Sequence, residues 1–230
     1  LHLGNILAVT LLTSGYFVVS EDLRQGWVER LNLTPDQVCV IPPHVCIDEV
    51  TGGSAEAAIK KHDIDEPTVL LAVTNLAFEQ KAAALGEMAP GILQTMDARE
   101  DVAWVIAGDG KFAPNLFEQI EAAAPRRDVV NRIYATGYVE NVDDLYSVAD
   151  VFVYFSGIDG YPNVVIEAQA NQLPVVTNPD HGIVEQVEDG SSGFFVDLGD
   201  VDDLTASMDR LLSDSNLCQE FGETGQNRVL

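Results

Sequence analysis

The sequence predicts an α/β fold built on a doubly wound, Rossmann-like parallel sheet, and three observations support this prediction. Apolar runs typical of strands alternate mostly with segments of helical character along the chain. Several of these runs are continuously apolar, as expected for strands that are buried on both faces. With 230 residues, of which 47% are hydrophobic, the chain can bury a large core.

The charge balance narrows the classes of function. There are 37 acidic residues against 12 basic ones, and the formal net charge is −25. Because phosphate neutralisation needs clustered Lys and Arg, the sequence argues against nucleic acid as a partner. Such a surface repels itself at low salt and is screened at about 1 M salt, where the Debye length is about 3 Å. We therefore predict a salt-adapted (halophilic) protein, with an ordinary acidic protein as the alternative.

The first predicted elements lie before residue 48. Residues 1–19 are apolar but lack the basic start and the cleavage site of a signal peptide, so we expect a helix and a strand there. No run is long and uncharged enough to span a membrane. A strand at 16–20 precedes a helix at 20–31 and a second strand at 38–41.

The later elements follow the same pattern. Residues 49–66 are polar and predict a linker that contains a short helix at 55–61. Further strands are predicted at 68–73, 102–107, 132–135, 149–155, 174–177 and 194–196, and further helices at 82–98, 142–146, 183–187 and 202–212. An interruption of the helix at 82–98 is expected near Pro90-Gly91, because proline lacks the N–H that a helix interior needs.

The stretch 156–170 points to the chemistry. It reads S-G-I-D-G-Y-P-N-V-V-I-E-A-Q-A and joins a buried strand to a helix that begins near Pro162. Free N–H groups at a helix start, with the positive end of the helix dipole behind them, favour an anion such as phosphate. Asp159 and Glu167 are separated by seven residues and can border one pocket. The pattern indicates a phosphorylated, hydroxyl-rich ligand.

The run D-G-Y-P-N-V-V-I-E-A at 159–168, followed by L-P-V-V at 173–176, resembles the signature of the retaining glycosyltransferases of the GT-B fold, the family-four group. That signature reads E-G-x-P-x-x-x-x-E-A and then G-x-P-V, so Asp159 stands where the family has Glu. The resemblance implies that Asp159 and Glu167 are the catalytic carboxylates. Asp159 would bond the donor sugar hydroxyls and Glu167 the nucleotide ribose, with retention of configuration and without a metal ion or other cofactor.

The same resemblance implies where a nucleotide-sugar donor binds. Lys81 and Asn75 stand at the two positions whose cations hold the pyrophosphate in this family, so one expected charge is missing. The implied donor-binding residues are Asn75, Lys81, Gly108, Gly110, Tyr138, Gly160, Tyr161, Pro162, Asn163 and Val164. Asn75, Gly108, Tyr138 and Asp159 all follow predicted strands, and ligands of doubly wound sheets bind at the carboxyl ends of strands.

The resemblance covers nearly the whole chain and divides it in two. Residues 1–48 resemble the end of the acceptor-side domain with the interdomain connection, and residues 49–230 resemble the donor-binding domain. The implied partners are a UDP-, GDP- or ADP-sugar and a sugar, lipid-linked or polysaccharide acceptor, in the cytoplasm or at the inner face of the membrane. We expect the chain to stop before the last helix of such a domain and to be inactive alone.

Two other classes of function stay open. A noncatalytic nucleotide-sugar binding module would explain the departures at Asn75 and Asp159. The run G-D-G-K-F-A at 108–113 matches the G-x-G-x-x-A of dinucleotide-dependent oxidoreductases, although it does not follow the first strand, where that motif belongs.

The cysteines and histidines suggest no metal site. The three cysteines, Cys39, Cys46 and Cys218, have no metal-ligand spacing, and neither do the four histidines. An odd number of cysteines without C-x-x-C spacing predicts buried structural thiols in a reduced, cytoplasmic protein.

Overall fold

The computed structural model of the protein describes residues 15–230 and confirms the predicted fold. Its centre is a six-stranded parallel sheet with helices on both faces. The strands, in spatial order, are β5 (Ile133–Gly137), β4 (Val102–Ala107), β3 (Thr68–Val73), β6 (Val151–Tyr154), β7 (Val175–Thr177) and β8 (Gly193–Phe195). Two further strands, β1 (Tyr16–Val18) and β2 (Val38–Val40), form a separate parallel pair. The helix expected near the start of the chain falls on residues 1–14, outside the described range.

Helices connect the strands. Those of the described residues are α1 (Glu21–Leu31), α2 (Ile47–Val50), α3 (Ala55–His62), α4 (Glu79–Ala98), α5 (Ala113–Ala123), α6 (Arg127–Val130), α7 (Asp143–Val148), α8 (Asn163–Ala170), α9 (Ile183–Gln186), α10 (Val201–Ser213) and α11 (Ser215–Val229). None of these helices is long and apolar enough to cross a membrane.

The strand order places a switch point at the centre of the sheet. The chain leaves β3 toward β4 and β5, then returns to β6 on the other side of β3 and continues to β7 and β8. The connections after β3 and β6 therefore turn in opposite directions and leave a crevice at the carboxyl ends of these two strands.

Each face of the sheet is covered by its own apolar core. The alternation along β6 shows the division, because Val151 and Val153 face the core that includes α4, α5, α10 and α11, whereas Phe152 and Tyr154 face the core that includes α3, α7 and α8. All four side chains are buried. Fully burying an apolar side chain of this size stabilises a fold by about 1.5–3 kcal/mol. Burial on both faces explains why these strands read as continuous apolar runs.

The predicted interruption near Pro90 is wrong, because α4 continues unbroken through this residue. Ten residues of the helix are buried against the sheet and neighbouring helices. This packing outweighs the roughly 3 kcal/mol that an interior proline costs. The next residue, Gly91, allows α10 to approach, since a Cβ there would lie 2.8 Å from Leu204.

The end of the chain also differs from expectation. The sequence predicts no helix after residue 212, whereas α11 occupies 15 residues there. Its start is capped by Asp214, whose carboxylate accepts from the backbone N–H groups of Asn216 and Leu217. The buried positions of the helix are Phe221 and two glycines, so its apolar stripe is too small to stand out in the sequence.

Two smaller predictions need correction. Cys39 and Cys46 are exposed rather than buried, and Cys218 is partly buried. The segment predicted as a linker is packed against the sheet domain: Ser54 N donates to Asp144 at 2.8 Å, and the Asn171 side chain donates to the Val50 carbonyl at 2.7 Å. The domain boundary at residue 48 remains a prediction.

Candidate functional site

An open cleft of about 570 Å³ lies at the carboxyl ends of the central strands, a size that suits a small-molecule ligand. Ten of the twelve predicted site residues line it: Asn75, Lys81, Gly108, Tyr138, Asp159, Tyr161, Pro162, Asn163, Val164 and Glu167. The structure thus brings together residues that follow four different strands.

Two predicted residues, Gly110 and Gly160, do not line the cleft. A Cβ at Gly110 would lie 2.1 Å from the backbone of Leu76 and Ala77, so this glycine permits contact between two loops. A Cβ at Gly160 would lie 2.5 Å from a methyl group of Leu23. The close approach that Gly160 allows is therefore to helix α1.

Lys81 and Asp159 form an ion pair across the switch point. Lys81 follows β3 and lies in the first turn of α4, which begins three residues before the predicted helix at 82–98, and Asp159 lies in the loop after β6. Lys81 Nζ is 2.7 Å from Asp159 Oδ2, and the two side chains are 14% and 24% exposed. Because water screens such a pair only in part, it is a more persistent contact than a surface salt bridge.

The Asp159 carboxylate has two further partners. The hydroxyl groups of Tyr154 and Ser156 both donate to Asp159 Oδ2. Burial, and then the nearby charge of Asp159, raise the pKa of the Tyr154 phenol, so this group stays protonated and keeps donating. Asn178 holds the loop at its start, since its side chain accepts from Ser156 N at 3.0 Å and donates to Ser156 O at 2.8 Å.

Glu167 occupies a different setting on α8. The buried Tyr146 of α7 donates to Glu167 Oε2 at 2.9 Å. Burial raises the pKa of the Glu167 carboxyl, and the hydrogen bond from Tyr146 opposes that shift. This carboxylate therefore lines the cleft with a neutral phenol as its partner.

The start of α8 forms the wall between the two carboxylates. Pro162 precedes the first helical residue, Asn163, and its carbonyl accepts from the buried Gln186 side chain at 2.9 Å. The first N–H groups of a helix have no intrahelical partner, and the helix dipole adds partial positive charge beside them. Asn163 is exposed at this wall, so the helix start is open to an anion.

Asn75 and Tyr138 lie at the other side of the cleft. The Asn75 side-chain oxygen accepts from Ala77 N at 3.0 Å, so it stabilises its own loop. Tyr138 is 80% exposed after β5, where an aromatic ring can stack on a planar ligand. Asn75 adds no positive charge to the site.

Sequence reasoning missed several residues of the cleft. They are Val73, Thr74, Ala107, Asp109, Val139, Val142 and Tyr154, together with Tyr146 behind Glu167. Tyr154 was predictable in part, because a buried tyrosine at the end of a strand needs a partner for its hydroxyl. Thr74 has a buried hydroxyl without a hydrogen-bond partner in the described range, and no pattern in the sequence signals this.

The loop beside Asp159 is held by α1 as well. Glu185 of α9 accepts from the backbone N–H groups of Glu21 and Asp22, at 3.2 and 3.0 Å, and so caps the start of α1. A Cβ at Gly182 would lie 1.9 Å from the carbonyl oxygen of Gly160. Together with the approach of Leu23 to Gly160, these contacts join the segment predicted as acceptor-side to the site loop.

No group of three or more His, Cys, Asp or Glu side chains between residues 15 and 230 is placed to hold a metal ion.

Comparison with known proteins extends these observations. The chain is 31% identical over 192 residues to a D-inositol 3-phosphate glycosyltransferase of Geodermatophilus obscurus. The aligned region covers 81% of this chain and 42% of that protein. It is 34% identical over 92 residues to the capsular polysaccharide biosynthesis glycosyltransferase CapM of Staphylococcus aureus, covering 40% of this chain and 24% of CapM. The chain thus spans less than half the length of these curated relatives.

Solved structures show the same architecture. Anabaena HepE, crystallised with UDP-glucose, superposes with a TM-score of 0.86 at 16% identity, covering 100% of this chain and 63% of that one. A glycosyltransferase of Rickettsia africae superposes with a TM-score of 0.85 at 17% identity, covering 100% and 62%. These neighbours are GT-B glycosyltransferases, so the sheet is of the GT-B type. A family model described as "Glycosyl transferases group 1" matches residues 54–228, and the chain therefore belongs to this family of glycosyltransferases.

Proposed function

We propose that this chain is the donor-binding half of a hexosyltransferase. The enzyme transfers the hexose from a nucleotide-sugar donor with retention of configuration and without a metal ion. The observation that carries the proposal is the cleft at the switch point, where Lys81, the start of α8 and two carboxylates converge. The family-four assignment and retention rest on the resemblance of residues 159–168 to the family signature.

The donor is proposed from the chemistry of the cleft and from the relatives. The start of α8 and Lys81 suit the diphosphate, and Tyr138 suits the base. HepE was solved with UDP-glucose, and an E. coli relative at 24% identity is a UDP-Gal:α-D-GlcNAc-diphosphoundecaprenol galactosyltransferase. A UDP-sugar is therefore the first donor to test, ahead of GDP- and ADP-sugars, with a sugar, lipid-linked or polysaccharide acceptor.

The roles of the residues follow from where charge develops. As the sugar leaves, negative charge grows on the diphosphate, and fixed positive groups beside it lower the barrier. Lys81 and the N–H groups at the start of α8 take this role. Asp159 bonds the sugar hydroxyls and Glu167 the ribose, which orients the donor in the cleft. In the whole enzyme that contains this donor-binding half, transfer that continues in excess chelator would support the metal-free part of the proposal, and loss of transfer restored by a divalent ion would refute it.

One observation bears on the noncatalytic alternative. The Asn75 side chain stabilises its own loop. Among the described residues that line the cleft, Lys81 is then the one cation, and a single cation holds a diphosphate weakly. The oxidoreductase alternative has less support, because the G-D-G-K-F-A run follows β4, the second strand of the main sheet along the chain.

A calorimetric and thermal-shift screen in molar KCl tests the proposal. The probes are UDP, GDP, ADP and their sugars, with NAD as the control. We expect one nucleoside diphosphate to bind and Glu167→Gln to weaken this binding without unfolding the protein. If none binds, the donor-site assignment is wrong, and preferential binding of NAD would favour the oxidoreductase.

We further propose that the protein is salt-adapted and that it works in the cytoplasm, either free or at the inner face of the membrane. The net charge of −25 supports the first of these proposals. The melting temperature should rise between low salt and molar KCl, and a flat or falling curve would contradict salt adaptation. Fractionation of the source cells, with and without a high-salt wash of the membranes, tests the location.

A further inference from the structure

The charges that line the cleft are unbalanced. Among the described residues of its wall, Lys81 is the single cation, whereas Asp109, Asp159 and Glu167 are carboxylates. Lys81 already has a partner, since its Nζ is 2.7 Å from Asp159. A diphosphate that enters this cleft therefore meets a cation that is already neutralised.

Asp159 is tied to Lys81 through one of its two oxygens. Lys81 Nζ and the hydroxyls of Tyr154 and Ser156 all contact Oδ2. Nothing in the described part of the chain bonds Oδ1, which leaves this oxygen able to accept a hydrogen bond from a ligand. The carboxylate can thus hold Lys81 and still respond to a hydroxyl group.

We propose that Asp159 competes with the donor diphosphate for Lys81, and that hydroxyl groups of the donor sugar compensate Asp159 for the lost cation. This inference rests on the proposed function and adds a determinant of specificity to it. When phosphate oxygens take Lys81, the partly buried carboxylate loses its counter-ion and faces like charge. A sugar hydroxyl that donates to Asp159 offsets this loss, whereas the hydroxyls of a bare nucleoside diphosphate are on its ribose, which we place at Glu167.

The consequence is a cleft that distinguishes the donor from the product that remains after transfer. With the sugar bound, diphosphate and carboxylate each have a partner. Once the sugar has left, Asp159 regains Lys81 and weakens the hold on the nucleoside diphosphate. The same carboxylate therefore favours donor binding and product release.

The first test compares two carboxylates of one cleft with inorganic pyrophosphate as the probe. Asp109 also lines the cleft, but its carboxylate accepts from Gly110 N at 2.6 Å and has no contact with Lys81. Asp159→Asn and Asp109→Asn each remove one negative charge, so any general electrostatic effect is common to both. Calorimetry should show pyrophosphate binding about tenfold tighter in Asp159→Asn than in the wild type, and at most about threefold tighter in Asp109→Asn.

Equal pyrophosphate affinities in these two variants would overturn the inference. A double variant, Asp159→Asn with Lys81→Met, should lose the gain, because no freed cation remains. If the double variant keeps the tight binding, Lys81 is not what Asp159 competes for, and the inference fails. Melting curves of every variant, recorded in the same buffer, show whether the fold is retained.

The second test concerns the sugar. The probes are UDP and UDP-glucose, or the GDP or ADP pair if the screen above selects it. The wild type should bind the nucleotide sugar more tightly than the nucleoside diphosphate, and Asp159→Asn should lose or reverse that preference. An unchanged preference in Asp159→Asn would overturn the role of the sugar hydroxyls. If no nucleotide binds at all, the proposed function fails, whereas the pyrophosphate comparison still decides whether phosphate competes with Asp159.

Discussion

Asp159 and Glu167 carry the same chemical group into the cleft in opposite settings. Asp159 lies in a loop and is paired with a cation, Lys81, at 2.7 Å. Glu167 lies on a helix, and its partner is the neutral hydroxyl of Tyr146 at 2.9 Å. Burial raises the pKa of Glu167, and no cation among residues 15–230 is in contact with it to offset this shift.

Asp159 and Glu167 illustrate two ways in which a binding site can use a carboxylate. A carboxylate beside a cation stays ionised at little cost, and it can exchange that cation when another anion arrives. A carboxylate beside a phenol is costlier to ionise, but it can accept a neutral hydroxyl without any exchange of charge. Asp159 therefore suits the sugar of the donor, beside the diphosphate that competes for its cation. Glu167 suits the ribose, which is neutral.

Removing Lys81 should have the largest effect, because it abolishes the difference between the two settings. Lys81→Met keeps a long apolar stem without the charge. We expect nucleoside diphosphate affinity to fall about tenfold to a hundredfold, since hydrogen bonds to charged groups contribute about 1.5–3 kcal/mol. Calorimetry with UDP measures this loss.

Lys111→Met is the matched control for Lys81→Met. Lys111 lies over the Phe112 ring, 4.7 Å from its centre, and does not line the cleft. Its replacement should leave UDP affinity unchanged. Equal losses in the two variants would mean that Lys81 acts only through the net charge of the protein.

The phenols of Tyr146 and Tyr154 test the two settings through their hydrogen bonds. Tyr146→Phe leaves Glu167 without a hydrogen-bond donor and should reduce the free energy of unfolding by about 1.5–3 kcal/mol. Tyr154→Phe should cost less, about 0.5–1.5 kcal/mol, because Asp159 retains Lys81 and Ser156. Urea denaturation of both variants measures the difference, and a larger loss in Tyr154→Phe would contradict it.

The sequence predicted which residues line the cleft better than it predicted the contacts between those residues. Strand ends are visible as apolar runs followed by polar or glycine-rich loops, so the residues after β3, β4, β5 and β6 could be assigned to one crevice. Lys81 and Asp159 were each assigned to that crevice. Their pairing was not predicted, because it depends on β3 and β6 being neighbours, and this adjacency is set by the strand order.

Contacts between distant helices were the least predictable. Tyr146 meets Glu167 only because α7 and α8 border the same core on one face of the sheet, and 21 residues separate them in the chain. Gly160 was assigned to ligand contact, but the approach it permits is to Leu23, 137 positions earlier. Likewise, Pro90 is tolerated because of the tertiary packing of α4. Local patterns carry no information about such partners.

The smallest expected effect is the pH dependence of stability that comes from Glu167. The pKa of this carboxyl in the folded protein is raised above its ordinary value of 4.5, so ionising it opposes folding. The stability due to the protonated form is complete below the ordinary pKa and is lost as pH rises through the raised one. The Glu167→Gln side chain cannot ionise, so the variant lacks this pH-dependent contribution to the free energy of unfolding.

The free energy of unfolding of the wild type, minus that of Glu167→Gln, should therefore fall as pH rises above 4.5 and through the raised pKa. Urea titrations at several pH values measure this difference. Tyr146→Phe removes the hydrogen bond that lowers the pKa of Glu167, so the decline should move to higher pH in that variant. A difference that stays constant with pH would mean that Glu167 ionises as freely in the fold as in the unfolded chain. The contrast between Glu167 and Asp159 would then lie in their partners, a neutral phenol and a cation.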